Sequence, residues 1–449
     1  MTWTTVTLQV TTPLFNGGAD PDGAGGFRPG REAGLRVASV RGAMRFWFRA
    51  LAGTVVGPDL DLLGRLERRV FGGVGAKADK TVPSPLILRL SEPPPLSSEP
   101  VPAFLAGPDG RWIGYLLGLG LMKLERGKPR LTRPFLPPGP EPVELKMRFR
   151  HAAGGTNEIV QAVEALAFAS LWLVCTYGGI GARTRRGFGG MRITEVAGDV
   201  PPPWRNAWLR TPDPAFYRPA DWLWPWGKLV FEAFEKHLRT LIAGEKREGG
   251  AVDDWAKPPP YPVLSRKYSP AAVVKPARTR PEFGSWEEAL GYGGKQLRLF
   301  RANRPFEESQ RSQGRVKTAE WDEVIHGDLA DFPLGALGLP VGFHDKLSDH
   351  KFMVNAEGTQ DGGGALRRAS PLWLRPVGAD SSWQLFTFAF RTSFLPDQVK
   401  VRLLPDEKAR HDGHTADDLF VEQADVDRLT TQWIAVMRSG GNFVTTIRD

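Results

Sequence analysis

Cysteine is almost absent from this chain of 449 residues, in which Cys175 stands alone. A single cysteine forms no disulfide within one chain, and it sets aside zinc sites built on paired cysteines. Long apolar runs are missing too. No stretch of about 18 consecutive apolar residues occurs, so no membrane span is expected. The opening residues, Met1-Thr2-Trp3-Thr4-Thr5-Val6, show neither a basic segment nor an apolar one, so no secretory leader is expected. These features together predict a cytoplasmic protein. Histidine is scarce at seven residues, and no spacing of histidines and acids compels a metal site. No metal, no cofactor and no small-molecule substrate is expected.

What is present is ordinary in bulk and uneven in distribution. Hydrophobic residues make up 41% and charged residues 24%, as in globular proteins, and the length suits two or three domains. The net charge is +9. Residues 1–200 carry 25 Lys/Arg against 17 Asp/Glu, residues 261–320 carry 12 against 6, and residues 321–449 carry 13 against 19. Arg-rich coding explains a preference for Arg over Lys but not this blockwise surplus. Clustered positive charge is the footprint of a phosphate-backbone binder.

The stretch Gly178-Gly179-Ile180-Gly181-Ala182-Arg183-Thr184-Arg185-Arg186-Gly187-Phe188-Gly189-Gly190 concentrates this signal. No Lys-Ser/Thr pair follows its glycines, so it is not a Walker A loop, and its order fails Gly-x-Gly-x-x-Gly. Glycines permit positive φ and close backbone approach. Exposed N–H groups of Gly178, Gly179, Gly181, Gly187, Gly189 and Gly190, with the forks of Arg183, Arg185 and Arg186, suit a phosphate-bearing partner. Phe188, on a glycine-flanked tip, is expected to be exposed and to stack on a base. The alternative is a flexible connector between helix and strand.

Periodicity places the rest. Residues 3–12, 85–91, 143–150 and 191–196 read as strands. A helix capped by Ser39 is expected over 40–52, with Val40, Met44, Trp47 and Leu51 inward and Arg41, Arg45 and Arg49 in a stripe beside them. The stripe is either a solvated face or a continuation of the loop carrying Arg28 and Arg31. A second helix is expected from Thr156 or Asn157 to about Tyr177. This β-α-β-β-α-β order is that of ferredoxin-like and RNA-binding RRM modules. In the second half, helices are expected at 228–243, 285–300 and 421–438, and strands at 370–377, 383–395 and 442–448. The stretch 198–227 reads as an aromatic-packed connector, 244–282 as a linker or long loop, and 355–368 as a second Gly-rich basic loop. Lys295, Arg298, Arg301, Arg367 and Arg368 would extend a basic track. The expected class is α+β, with two ferredoxin-like (RRM-like) domains, 1–200 and a more divergent 201–449, interrupted by long Pro/Gly-rich insertions.

Four pieces together resemble a known family: Thr12-Pro13-Leu14-Phe15-Asn16-Gly17-Gly18, the run Ser39 to Leu51, the loop Gly178 to Gly190, and Arg367-Arg368-Ala369-Ser370-Pro371-Leu372. They look like the RAMP superfamily of CRISPR effector subunits, and most like the first-numbered subunits of the type III-B (Cmr) complex. The resemblance implies two ferredoxin-like domains without catalytic residues. It implies a place at one end of a ribonucleoprotein, near the 3′ end of the CRISPR RNA. The implied partners are CRISPR RNA, target RNA and the other Cmr-complex subunits.

Two further classes stay open at this stage. Some RAMP relatives process CRISPR RNA without metal through a His or Lys base. Here His344 and His350, flanked by Lys346 and Lys351, form the best such cluster. His411 and His414 with Asp417 or Asp418 could hold a metal. The chain could also be purely structural, its basic blocks meeting acidic protein surfaces.

Overall fold

The computed structural model describes residues 3–16, 34–74, 81–118, 120–150, 156–198, 200, 225–245, 255–265, 267–274, 282–303, 319–345, 347–358, 365–396 and 398–440. Arg28, Arg31, Lys346, most of 198–227 and the strand expected at 442–448 lie outside these residues.

The first half contains β1 (Thr4–Val10), α1 (Val37–Val56), α2 (Leu60–Phe71), a small hairpin of β2 (Gly73–Val74) and β3 (Thr81–Val82), and β4 (Leu86–Leu90). An insertion follows, with α3 (Ala103–Ala106), α4 (Gly110–Leu117) and the hairpin β5 (Met122–Glu125) and β6 (Lys128–Leu131). Then come β7 (Pro142–Phe149), α5 (Asn157–Thr176) and β8 (Met191–Gly198). The main sheet runs β4-β7-β1-β8, antiparallel throughout. Alternation decides its buried side. Val6, Leu8 and Val10 of β1 turn inward with Leu145 and Met147 of β7, onto α1 and α5. Thr156 caps α5 by accepting from the Ile159 amide.

Two local expectations give way. Ser39 does not cap α1, because the helix starts earlier and Arg36 holds the cap position. Ser39 instead donates to Asn16 Oδ1 at 2.9 Å. Although no unbroken apolar run exists, α5 is long and apolar enough to cross a membrane by length and composition. Its most apolar window is 72% buried in the fold, which makes it a core helix. Cys175 lies within it, and burial pushes the thiol up to about 12.

The second half contains α6 (Pro225–Gly244), β9 (Ala271–Val274), α7 (Trp286–Asn303), α8 (Ala319–His326), a 3-10 turn (Pro333–Leu337), β10 (Val341–His344), β11 (Lys351–Gly358) and β12 (Ala365–Leu366). After these come β13 (Leu372–Ala379), β14 (Ser382–Ala389), β15 (Val399–Pro405), α9 (Glu407–His411), β16 (Asp417–Leu419) and α10 (Gln423–Arg438). One sheet runs β13-β14-β9, and a second runs β10-β11-β15-β16 with β12 also on β11. β9 forms inside the stretch expected to be a linker, and β11 occupies the start of the expected Gly-rich loop.

The β13-β14-β9 sheet is buried on both faces, so its strands read as near-continuous apolar runs. One face sends Trp373, Phe386, Phe388 and Phe390 into the core of the first half. There Trp373 lies 5.5 Å from Trp47 between ring centroids and 5.3 Å from Phe388. The other face, with Leu374 and Leu385, packs against α7 and α10. Packing also crosses the midpoint of the chain. The helix α6 lies on α1 and α5, while α4 lies on α7.

Candidate nucleic-acid interface

The Gly178–Gly190 loop is a closely packed knot held from two sides. The segment after β1 braces it. Ala182 donates to the Phe15 carbonyl at 2.7 Å, Gly189 to Pro13 at 2.9 Å, and Thr12 Oγ1 to the Gly187 carbonyl at 2.9 Å. On the other side, Leu374 of β13 donates to the Arg185 carbonyl at 3.0 Å. Arg375, almost fully buried, donates from Nη2 to the carbonyls of Cys175 and Met191, which lie on either side of the loop. The glycines serve this contact. Gly189 has φ +68°, and a Cβ there would sit 2.0 Å from the Ile180 oxygen. A Cβ on Gly190 would sit 2.1 Å from Arg375 Nη1.

This changes the role expected of the glycine amides. Those of Gly178, Gly187, Gly189 and Gly190 are already spent on Leu173, Thr184, Pro13 and Thr12. The loop is neither a mobile connector nor an open row of N–H groups. Phe188 is also not an exposed tip. It is fully buried, edge-on to Phe15 at 5.8 Å, because the positive-φ glycines on either side turn it inward.

The three loop arginines separate. Arg183, itself at φ +62°, donates from Nε to the Leu117 carbonyl at 2.8 Å, at the negative end of α4. Arg186 has Tyr115 and Arg301 among its electrostatic neighbours. Arg185 faces a groove. Its guanidinium carbon lies 5.4 Å from the Trp373 ring centroid, and Nη1 donates to the Ser370 carbonyl at 3.0 Å.

Arg185 and Trp373 line two adjoining cavities. The smaller, about 470 Å³, is bounded also by Asn16, Arg36, Ser39, Gly181 and Thr184. The larger, about 1350 Å³, is bounded by Lys257, Arg367, Arg368, Ser370, Phe394 and Phe420 among others. All four sequence pieces singled out above therefore meet along one groove. The contributors that sequence reasoning missed are Asn16, Arg36, Thr184, Trp373, Lys257, Phe394 and Phe420. Asn16 and Thr184 lie inside quoted motifs and Trp373 directly follows one, which was the available signal.

The groove is electropositive by construction. Burial pushes Arg185 down to about 10, and burial with the charge of Arg185 does the same to Arg368. Burial, then Arg301, Arg183 and Arg185, bring Arg186 to about 10. Arg183 is lowered by burial and by Arg367. Apart from Tyr115, which acts on Arg186 in the opposite direction, the side chains acting on these four are other guanidiniums. All stay protonated near neutral pH; Arg185, Arg367 and Arg368 line the groove, Arg183 and Arg186 do not, and the lining carboxylate, Asp418, is already held by Lys400 and Arg402, so the groove suits a polyanion.

Other expected site residues lie elsewhere. Arg45 and Arg49 both reach Oε1 of buried Glu67 on α2, at 2.5 and 2.9 Å, and Arg41 donates to the Leu86 carbonyl. The stripe is thus committed within the fold. Lys295, Arg298 and Arg301 on α7 are not among the groove-lining residues, and Arg298 lies over Tyr115 at 5.1 Å. No histidine lines either cavity among the described residues. His350 is buried with Nε2 2.8 Å from Asp412, and His344 pairs with Asp349 at 2.8 Å. His411 sits beside Asp412, and Asp418 is held by Lys400 and Arg402. No cluster of three metal-capable residues occurs among the described residues.

Residues 7–192 match the model of the RAMP superfamily. Two relatives from Pyrococcus furiosus are named CRISPR system Cmr subunits Cmr1-1 and Cmr1-2. The first is 31% identical over 37% of this chain and 42% of its own length. The second is 28% identical over 41% of this chain and 92% of its own. The chain thus spans less than half the length of the first. Among solved structures, Cmr1 of Pyrococcus furiosus in its apo form aligns over 94% of this chain and 99% of its own, at 19% identity and TM-score 0.48. A type III-B Cmr-beta complex bound to cognate target RNA contains a chain aligned over 96% of this one and 100% of its own, at 12% identity and TM-score 0.44.

Proposed function

We propose that this RAMP protein is a non-catalytic RNA-binding subunit of a type III-B CRISPR interference complex in the cytoplasm. It would contact CRISPR RNA near its 3′ end and the target RNA, beside other Cmr subunits. The observation that carries the reading is the groove in which Arg185, Arg367 and Arg368 gather with Lys257 and Lys400, against one lining carboxylate, Asp418, that Lys400 and Arg402 already hold. Phosphates would supply the missing negative charge, and base pairing with the guide would supply sequence. The names of the relatives support the assembly.

The architecture is read the same way. Strand order β4-β7-β1-β8 with α1 and α5 supports a ferredoxin-like first domain, residues 1–200. The order β9-α7-β13-β14-α10 repeats most of that grammar in a second domain, residues 201–449, with β10–β12 and β15–β16 as insertions. Among the described residues no histidine lines either cavity, which supports binding over histidine-dependent cleavage. Purified full-length chain, titrated with labelled single-stranded RNA with and without divalent metal, tests the reading. Binding without cleavage is expected. Metal-independent cleavage lost in His350→Ala, or no binding at low salt, would contradict it.

A further inference from the structure

The larger cavity has a second character beside its charge. Phe420 contributes to its lining with 62% of its surface exposed, although its backbone is held on both sides. Its amide donates to the Ala330 carbonyl at 2.9 Å, and its carbonyl accepts from the Phe332 amide at 2.8 Å. An aromatic ring left open on a fixed backbone is a platform rather than a fraying side chain. Around it lie Phe394, Leu395 and several prolines.

Arg368 lies in the same lining. Its Nη1 is occupied by the carbonyls of Ser393 and Phe394, and its guanidinium rests 4.8 Å from the Phe394 ring centroid. Nε and Nη2 are buried with no protein partner. The Arg368 carbonyl accepts from Leu339, so the same short 3-10 turn separates the anchors of Arg368 and Phe420. A fixed guanidinium charge and a fixed open ring thus share the lining of one cavity.

We infer that this cavity takes an unpaired RNA segment, with a phosphate drawn to the charge of Arg367 and Arg368 and a nucleobase stacked on Phe420. The inference rests on the RNA-binding reading above and adds the class of RNA. In an A-form duplex the base faces are stacked on one another and only phosphates, 2′-hydroxyls and base edges are offered. A free base face exists only where a strand is unpaired, and stacking on an aromatic is indifferent to base identity. A purely electrostatic groove would not need the ring.

The test compares a labelled unpaired RNA of about ten nucleotides with the same strand annealed to its complement, using the full chain and Phe420→Ala. The ring is mostly exposed, so the substitution leaves the core intact. The wild type should prefer the unpaired strand. F420A should lose about 5- to 150-fold on that strand, the range for one base–aromatic stack. It should lose nothing on the duplex, and Phe420→Trp should restore binding. Equal loss on both forms, or none on either, overturns the inference while RNA binding itself survives. Failure of the wild type to bind either form overturns both. Tighter binding of a polyglutamate peptide than of RNA would assign the groove to an acidic protein surface instead.

Discussion

Arg185 lies across the ring of Trp373, 5.4 Å from its centroid, and so joins a loop of the first half to β13, an edge strand of the β13-β14-β9 sheet. Both residues line both cavities, so the pair joins them into one groove. The Gly-rich loop matters less as a set of amide donors than as the device that sets Arg185 against β13.

Glu67 offers a first prediction. It is the shared anion of Arg45 and Arg49 and is itself nearly buried. Glu67→Gln would leave two neighbouring guanidiniums without it. A loss of about 1–3 kcal/mol in urea unfolding is expected. This is below the ~3–5 kcal/mol typical of broken buried pairs, because both arginines are about a third exposed. RNA affinity should not change. A large affinity loss at wild-type stability would place the stripe in the RNA surface.

Glycine substitutions give a paired test. Gly189→Ala forces a Cβ against the Ile180 oxygen at positive φ and should cost roughly 2 kcal/mol or more. Gly42→Ala, in the middle of α1 with nothing within 4 Å of the added Cβ, should gain about 0.5–1 kcal/mol. Equal melting temperatures for the two variants would contradict the account of the loop.

Asp412 governs a pH effect. Hydrogen bonds first from His350 and then from His411 hold its carboxyl below the usual carboxylate range. A depressed folded-state value means the stabilisation is fully present above the ordinary value, about 4, and is lost as pH falls through the folded one. Asp412→Asn should therefore be less stable than wild type above about pH 5. It should decline less steeply on further acidification. Stability curves that stay parallel down to pH 2 would refute the linkage.

The legible parts of the fold were those with a strong period. The strands of the first sheet emerge close to their observed limits because alternation is clean. So does α5, because Thr156 caps a continuous apolar run. α2 passed unread although Leu62, Leu63, Leu66 and Val70 recur at helical spacing. With it went Glu67, the residue that explains the arginine stripe. β9 escaped because Ala-Ala-Val-Val is too short to stand out within a Pro- and charge-rich stretch. Phe188 departs from its expected place because flanking glycines suggest an exposed tip, whereas here they allow burial. The groove was half legible, since Arg185, Arg367 and Arg368 were expected to bind. Their convergence depends on tertiary packing through Arg375 and Trp373, which no local pattern carries.

The most direct test is the salt dependence of single-stranded RNA binding by Arg185→Gln, Arg367→Gln and Arg368→Gln combined, in a variant verified to keep its fold by circular dichroism. If these three meet phosphates, affinity should fall and the log–log slope should flatten by about 2 units, roughly 0.7 per lost contact. Wild-type affinity with a wild-type slope would contradict the claim that this groove holds the RNA.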